Sequence, residues 1–121
     1  MRVLVTGAAG FVGSYTLRAL MEQEDVLGVD NFASYYSVDY KRYRLESFGI
    51  HPYKDIVNCD ISNYSNVESL IERFKPEYII FVIGLNQVFQ KYFDNTKTSI
   101  QKILEEFKDI PYTWVGPANW V

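Results

Sequence analysis

Apolar runs and helical stripes take turns along this chain, and their order predicts a fold. Short apolar runs at residues 2–6, 26–30, 53–58, 77–83 and 111–115 read as strands, and residues 11–23, 38–48, 66–74 and 95–108 read as helices. The clearest helix carries Val67, Leu70, Ile71 and Phe74 at the i, i+3, i+4, i+7 spacing of one buried face, and Ser65 with Glu68 has the form of a capping box at its start. The last helix repeats that stripe with Ile100, Ile103, Leu104 and Phe107 before Pro111 opens the final strand. The run Tyr78-Ile79-Ile80-Phe81-Val82-Ile83 lacks alternation, which marks a strand buried on both faces and puts it inside the sheet. Strand and helix in alternation predict an α/β fold, a doubly wound parallel sheet of about five strands between two helical layers.

The first strand ends in Thr6-Gly7-Ala8-Ala9-Gly10-Phe11-Val12-Gly13-Ser14 and leads straight into the first helix. Three glycines in a strand-to-helix turn have three separate uses: a tight turn at Gly7, backbone close enough to touch phosphate oxygens at Gly10, and close helix–sheet packing at Gly13. A helix N-terminus at Gly10, Phe11 and Val12 turns N–H groups and a positive dipole end toward an anion. Leu27-Gly28-Val29-Asp30 then closes the second strand with a carboxylate 17 positions after Gly13, the offset of a ribose-binding acid. Together these features predict a Rossmann-like domain that binds a dinucleotide at the switch point between the first strand and the fourth.

Composition narrows the partners. A net charge of −3 argues against nucleic acid or an anionic membrane surface. The basic cluster Lys41, Arg42 and Arg44 is offset by Asp39 and Glu46 and reads as a solvated helix face. One cysteine, Cys59, excludes an internal disulfide, and one histidine, His51, leaves no His/Cys ligand set for a metal. No stretch approaches the ~18 apolar residues of a membrane span, and the sequence enters a strand at once, so a cytoplasmic protein is expected. At 121 residues it is expected to form one domain, residues 1–121.

Thr-Gly-x-x-Gly-x-x-Gly resembles the extended short-chain dehydrogenases/reductases, and Val5 to Ser14 resembles their nucleotide-sugar epimerase branch. The segment Val29-Asp30-Asn31-Phe32-Ala33-Ser34-Tyr35-Tyr36, with Lys41 and Arg44-Leu45 beyond it, is similar to the one that follows the second strand in UDP-glucuronate 4-epimerases. Cys59-Asp60-Ile61 is similar to the pair that cradles adenine. The resemblance covers residues 1–82. It implies NAD as cofactor in preference to NADP, contacts from Asp30, Asn31, Asp60 and Ile61 at the adenosine end, and a nucleotide-sugar as the second partner. For Asp60, a strand-end carboxylate capping the turn before Ser62 is an equal alternative. Members of that family are considerably longer, with more sheet and a C-terminal substrate lobe, so the chain reads as truncated.

The family pattern breaks in the last third. Phe93-Asp94-Asn95-Thr96-Lys97 resembles the Tyr-x-x-x-Lys catalytic motif with Phe93 in the tyrosine place, and no tyrosine in the chain is followed four residues later by lysine. Phenylalanine has no proton to exchange, so general acid/base work falls away. Lys97 is left to hold the nicotinamide ribose, or stands as a surface lysine. The strand 111–115 also resembles atypical isoflavone-reductase and NmrA-like members. Three expectations follow: a NAD-binding half-domain without complete machinery, an active epimerase or reductase using Lys97 with water or Tyr92, or a non-catalytic dinucleotide sensor.

Overall fold

The computed structural model describes residues 1–33, 37–83 and 93–116, with the Phe93 side chain outside that description. The expectations resting on Tyr92, on the Phe93 ring and on the tail after Gly116 lie outside the described residues. The described chain runs β1 (Arg2–Thr6), α1 (Phe11–Met21), β2 (Asp25–Asp30), α2 (Val38–Ser47), β3 (Ile56–Asn58), α3 (Tyr64–Phe74), β4 (Tyr78–Val82), α4 (Phe93–Glu106) and β5 (Tyr112–Val115). All pairings are parallel in the order β3-β2-β1-β4-β5, with Val5 opposite both Gly28 and Ile80.

Alternating side chains of the sheet feed two separate cores. Val3, Val5 and Ile56 pack with Leu17 of α1 and Leu45 of α2, whereas Leu4, Val29, Ile79 and Phe81 pack with Val67, Leu70 and Ile71 of α3 and Ile100 and Ile103 of α4. The result is the expected three-layer, doubly wound arrangement. The reversal falls between β1 and β4, where the order of the strands opens a crevice at their C-terminal ends.

Local chemistry shapes that crevice. The β1–β4 ladder runs only from Val3 to Val5 on β1. Beyond it the Thr6 Oγ1 accepts the Val82 N–H at 3.1 Å, satisfying a buried donor where the strands part.

Some boundaries differ from the sequence expectations. Residues 53–55 turn rather than extend, because Asp55 folds back: its Oδ2 accepts the His51 N–H at 2.7 Å and its N–H donates to the His51 carbonyl at 2.9 Å. The cap of α3 is Asn63, whose side chain accepts from the Asn66 N–H, and not Ser65. Glu68 is engaged elsewhere, accepting the Tyr64 hydroxyl at 2.7 Å, and this hydrogen bond pushes the phenol up to about 12. No described helix is long and apolar enough to cross a membrane.

The largest correction concerns α2. Lys41, Arg44 and Leu45 are its buried residues, at i, i+3 and i+4, so the basic cluster is the inward stripe of this helix and not a solvated face. Only Arg42 follows the expectation, pairing with Asp39 at 3.8 Å near the surface.

Candidate functional site

A cavity of about 550 Å³ opens at the C-terminal ends of the strands. Gly7, Gly10, Phe11, Val12 and Gly13 form one wall, Asp30 and Asn31 a second, and Asp60 and Ile61 a third. Every residue proposed from the sequence for the pyrophosphate and the adenosine end therefore borders a single space. Lys97, half-buried on α4, does not border it.

The three glycines divide by what requires them. Gly7 has φ +63°, and a Cβ there would sit 2.5 Å from the Val82 carbonyl oxygen. A Cβ on Gly13 would come within 1.9 Å of the Gly7 carbonyl oxygen, so helix and turn touch through the missing side chain. Gly10 is different. Its φ of −75° suits any residue, and a Cβ would meet only the Gly7 oxygen, at 3.3 Å. The fold needs the outer two glycines, whereas the middle one leaves its space to the cavity.

Gly10 is also the N-cap of α1, which has neither a side-chain cap nor an acidic residue in its first turn. The first N–H groups of a helix lack intrahelical acceptors, and the dipole makes this end favour negative charge. Phe11 and Val12, 65% and 48% exposed, flank it at the mouth.

Asp30 is anchored at the end of β2. Its Oδ2 accepts the Ala9 N–H at 2.9 Å and its Oδ1 accepts the Phe32 N–H at 2.7 Å, with Phe32 held at φ 52°. From α2, on the same side of the sheet as α1, Arg44 donates Nη2–H to the Ala9 carbonyl at 3.0 Å in a buried contact. The Ala9 residue is thus held through its N–H by Asp30 and through its C=O by Arg44. The guanidinium lies 5.7 Å from the Phe11 ring centroid and 5.6 Å from that of Tyr40. Lys41 donates to the Ala33 carbonyl at 2.6 Å, and burial lowers its ammonium pKa, with Asp30 opposing and Arg44 reinforcing the shift.

Asp60 makes the turn contact foreseen as its alternative role, accepting the Ser62 N–H on Oδ1 at 2.9 Å, while still bordering the cavity. Cys59 lies beside it, and burial raises its thiol pKa, with the Asp60 charge adding to this, a shift that favours the thiol over the thiolate. Among the described residues no three His, Cys, Asp or Glu side chains gather to hold a metal.

Sequence reasoning missed Tyr40, Lys41 and Arg44 as cavity residues. The available signal was α2 itself: without an apolar stripe over residues 38–48, some polar residues had to face inward.

A parallel sheet in this order with a glycine turn at its switch point is a Rossmann-like α/β fold. The chain belongs to the NAD dependent epimerase/dehydratase family, whose model matches residues 3–106. It is 31% identical over 112 residues to Protein CapI of Staphylococcus aureus, covering 91% of this chain and 33% of that one. It is 47% identical over 74 residues to UDP-glucuronate 4-epimerase 2 of Arabidopsis thaliana, covering 58% of this chain and 16% of that protein. Among solved structures it resembles the UDP-glucuronic acid 4-epimerase of Bacillus cereus, in complex with UDP-glucuronic acid and NAD, with a TM-score of 0.69 and 25% identity over 96% of this chain and 39% of that one. The dTDP-glucose 4,6-dehydratase of Bacillus anthracis, in complex with NAD, shares the fold with a TM-score of 0.72 at 19% identity, over 96% of this chain and 36% of that one. The chain therefore spans a third or less of the length of these two curated relatives.

Proposed function

We propose that this chain binds NAD in the cavity at the β1–β4 switch point, as the cofactor-binding part of a nucleotide-sugar epimerase or dehydratase. The observation that carries the reading is the uncapped N-terminus of α1, opening on the cavity through a glycine whose φ any residue could adopt and whose missing Cβ would meet only the Gly7 oxygen, at 3.3 Å. The pyrophosphate takes the N–H groups at Phe11 and Val12, while the Gly10 N–H is held at 3.1 Å by the Gly7 carbonyl and fixes the turn. The Asp30 carboxylate, already oriented by Ala9 and Phe32, accepts from the adenosine ribose hydroxyls beside Asn31, and NAD is preferred over NADP on that account. Asp60 and Ile61 close the adenine end. When bound, NAD would supply a hydride acceptor. A cytoplasmic setting belongs to the same proposal, in keeping with an acidic chain and a free buried thiol.

The same reading holds that the chain alone does not epimerise. Phe93 stands where the family motif has its acid/base tyrosine, and losing positioned acid/base catalysis costs about 10²- to 10⁴-fold in rate. Assayed with UDP-glucuronate, the chain should form no UDP-galacturonate above a Gly10→Val control, and interconversion above that control would promote the active-enzyme reading. Binding is tested separately by calorimetric titration with NAD. Gly10→Val should abolish the heat of binding while leaving the circular dichroism spectrum folded; unchanged affinity in a folded variant removes the site.

A further inference from the structure

Gly10 stands between two contacts from one side chain. Arg44, 9% exposed on the inward stripe of α2, donates Nη2–H to the Ala9 carbonyl at 3.0 Å, and its guanidinium carbon lies 5.7 Å from the centroid of the Phe11 ring. Gly10 is the N-cap of α1 and Phe11 begins the helix, so the contacts fall on the two residues that flank the cap.

The backbone bonds of the turn show what the Ala9 contact fixes. The Ala8 N–H donates to the Val29 carbonyl at 3.1 Å, the Ala9 N–H to Asp30 Oδ2 at 2.9 Å, and the Gly10 N–H to the Gly7 carbonyl at 3.1 Å. The Ala9 carbonyl and the Gly10 N–H belong to one planar peptide unit. Its N–H end is held inside the turn and its carbonyl end from α2. Sterics alone hold such a plane weakly, because the residues on either side of it are alanine and glycine. Yet this plane sets the direction in which the chain enters α1, and with it the aim of the Phe11 and Val12 N–H groups.

We propose that Arg44 is a positioning residue of the pyrophosphate site, acting through the Ala9 carbonyl and not by touching the ligand. This rests on the dinucleotide reading of the cavity. Nη2 alone makes the contact, so the role stands alongside the other engagements of the guanidinium. A ligand that meets a turn already fixed avoids the loss of ordering it, and for the backbone of one residue that loss is roughly five- to thirtyfold in affinity.

The test is calorimetric titration of NAD into the wild-type chain, Arg44→Met and Arg44→Lys, with amide exchange of the ligand-free proteins measured alongside. Arg44→Met keeps aliphatic bulk and removes the donor. It should weaken NAD by at least about fivefold and speed exchange at Gly10, while Ile79 and Ile103 on the other side of the sheet keep wild-type exchange. Arg44→Lys returns one donor to the same carbonyl and should recover part of both. Weaker NAD in Arg44→Met with Gly10 exchange unchanged overturns the role, since loss of a direct ligand contact would do that. Unchanged NAD affinity overturns it too, as does exchange at Ile79 and Ile103 that rises as much as at Gly10, the mark of general destabilisation. If Arg44→Met does not fold, Arg44→Lys decides: affinity and Gly10 exchange should change together or hold together, and a change in one alone overturns the role. A wild-type chain that takes no NAD overturns the dinucleotide reading and this role with it, whereas NAD binding indifferent to Arg44 overturns this role alone.

Discussion

On the α3/α4 side of the sheet, Leu4, Val29, Ile79 and Phe81 meet helices whose inward stripes are Val67, Leu70 and Ile71 and Ile100 and Ile103, with the hydroxyls of Thr6, Thr96 and Ser99 among the buried polar groups. On the α1/α2 side, Val3, Val5 and Ile56 meet a layer that buries Ser14, Lys41 and Arg44 beside Leu17 and Leu45. The first side is held together by area removed from water. The second side gives up apolar area in order to hold a turn and border a cavity. A helix that buries charge where its neighbours bury leucine and isoleucine marks the face on which a ligand is expected.

The sharpest way to break this division is to damage the apolar side and look for an effect on binding. Ile71, 2% exposed on α3, should cost about 2–5 kcal/mol when changed to alanine. Urea unfolding should show a lower midpoint, while NAD affinity per folded molecule stays at the wild-type value. A loss of affinity beyond the unfolded fraction would mean that the two layers are energetically coupled.

Asp30→Ala probes the other side. Hydrogen bonds to a charged group contribute about 1.5–3 kcal/mol each, and here one carboxylate holds two N–H groups of adjoining loops. The variant should lose stability before any ligand is added, with faster amide exchange at Ala9 and Phe32, in addition to weaker NAD binding. Unchanged exchange at Ala9 would show that Arg44 alone fixes that turn.

The glycines separate fold from ligand within one loop. Gly13→Ala forces a Cβ toward the Gly7 carbonyl and should cost about 1–3 kcal/mol, or more if α1 must shift. Gly10→Ala should cost under about 1 kcal/mol, the scale of a poor N-cap, yet weaken NAD because the methyl enters the phosphate volume. Equal stability losses would erase the distinction between the two positions.

Legibility in the sequence followed the same division. The α3 and α4 stripes are helical periods of apolar residues, and hydrophobic spacing located them correctly, as the unalternating run did for interior β4. The switch point followed from strand order and the glycine turn. Hidden from this reasoning was whatever depends on tertiary pairing of polar groups. Lys41 and Arg44 have the composition of a surface, and only the fold shows that the Ala33 and Ala9 carbonyls wait inside for them. Residues 53–55 missed for a similar reason: Asp55 returns to the His51 N–H, a contact that the strand-like residues around it do not announce.

The smallest effect tests a boundary on the legible side, the start of α3. The sequence pattern favours Ser65 with Glu68 as the capping pair, whereas in the structure Asn63 accepts from the Asn66 N–H at 3.4 Å and Glu68 is held by the Tyr64 hydroxyl. An N-cap changed to alanine costs about 0.5–2 kcal/mol, and a hydrogen bond this long puts Asn63→Ala near the lower end. Ser65, exposed in the first turn, should be neutral or slightly stabilising as alanine, because alanine is the better helix former by a few tenths of a kcal/mol. Urea midpoints of the two variants decide between the caps: a larger loss in Ser65→Ala than in Asn63→Ala would start the helix later and restore the capping box. NAD affinity should not respond to either change, since neither side chain borders the cavity.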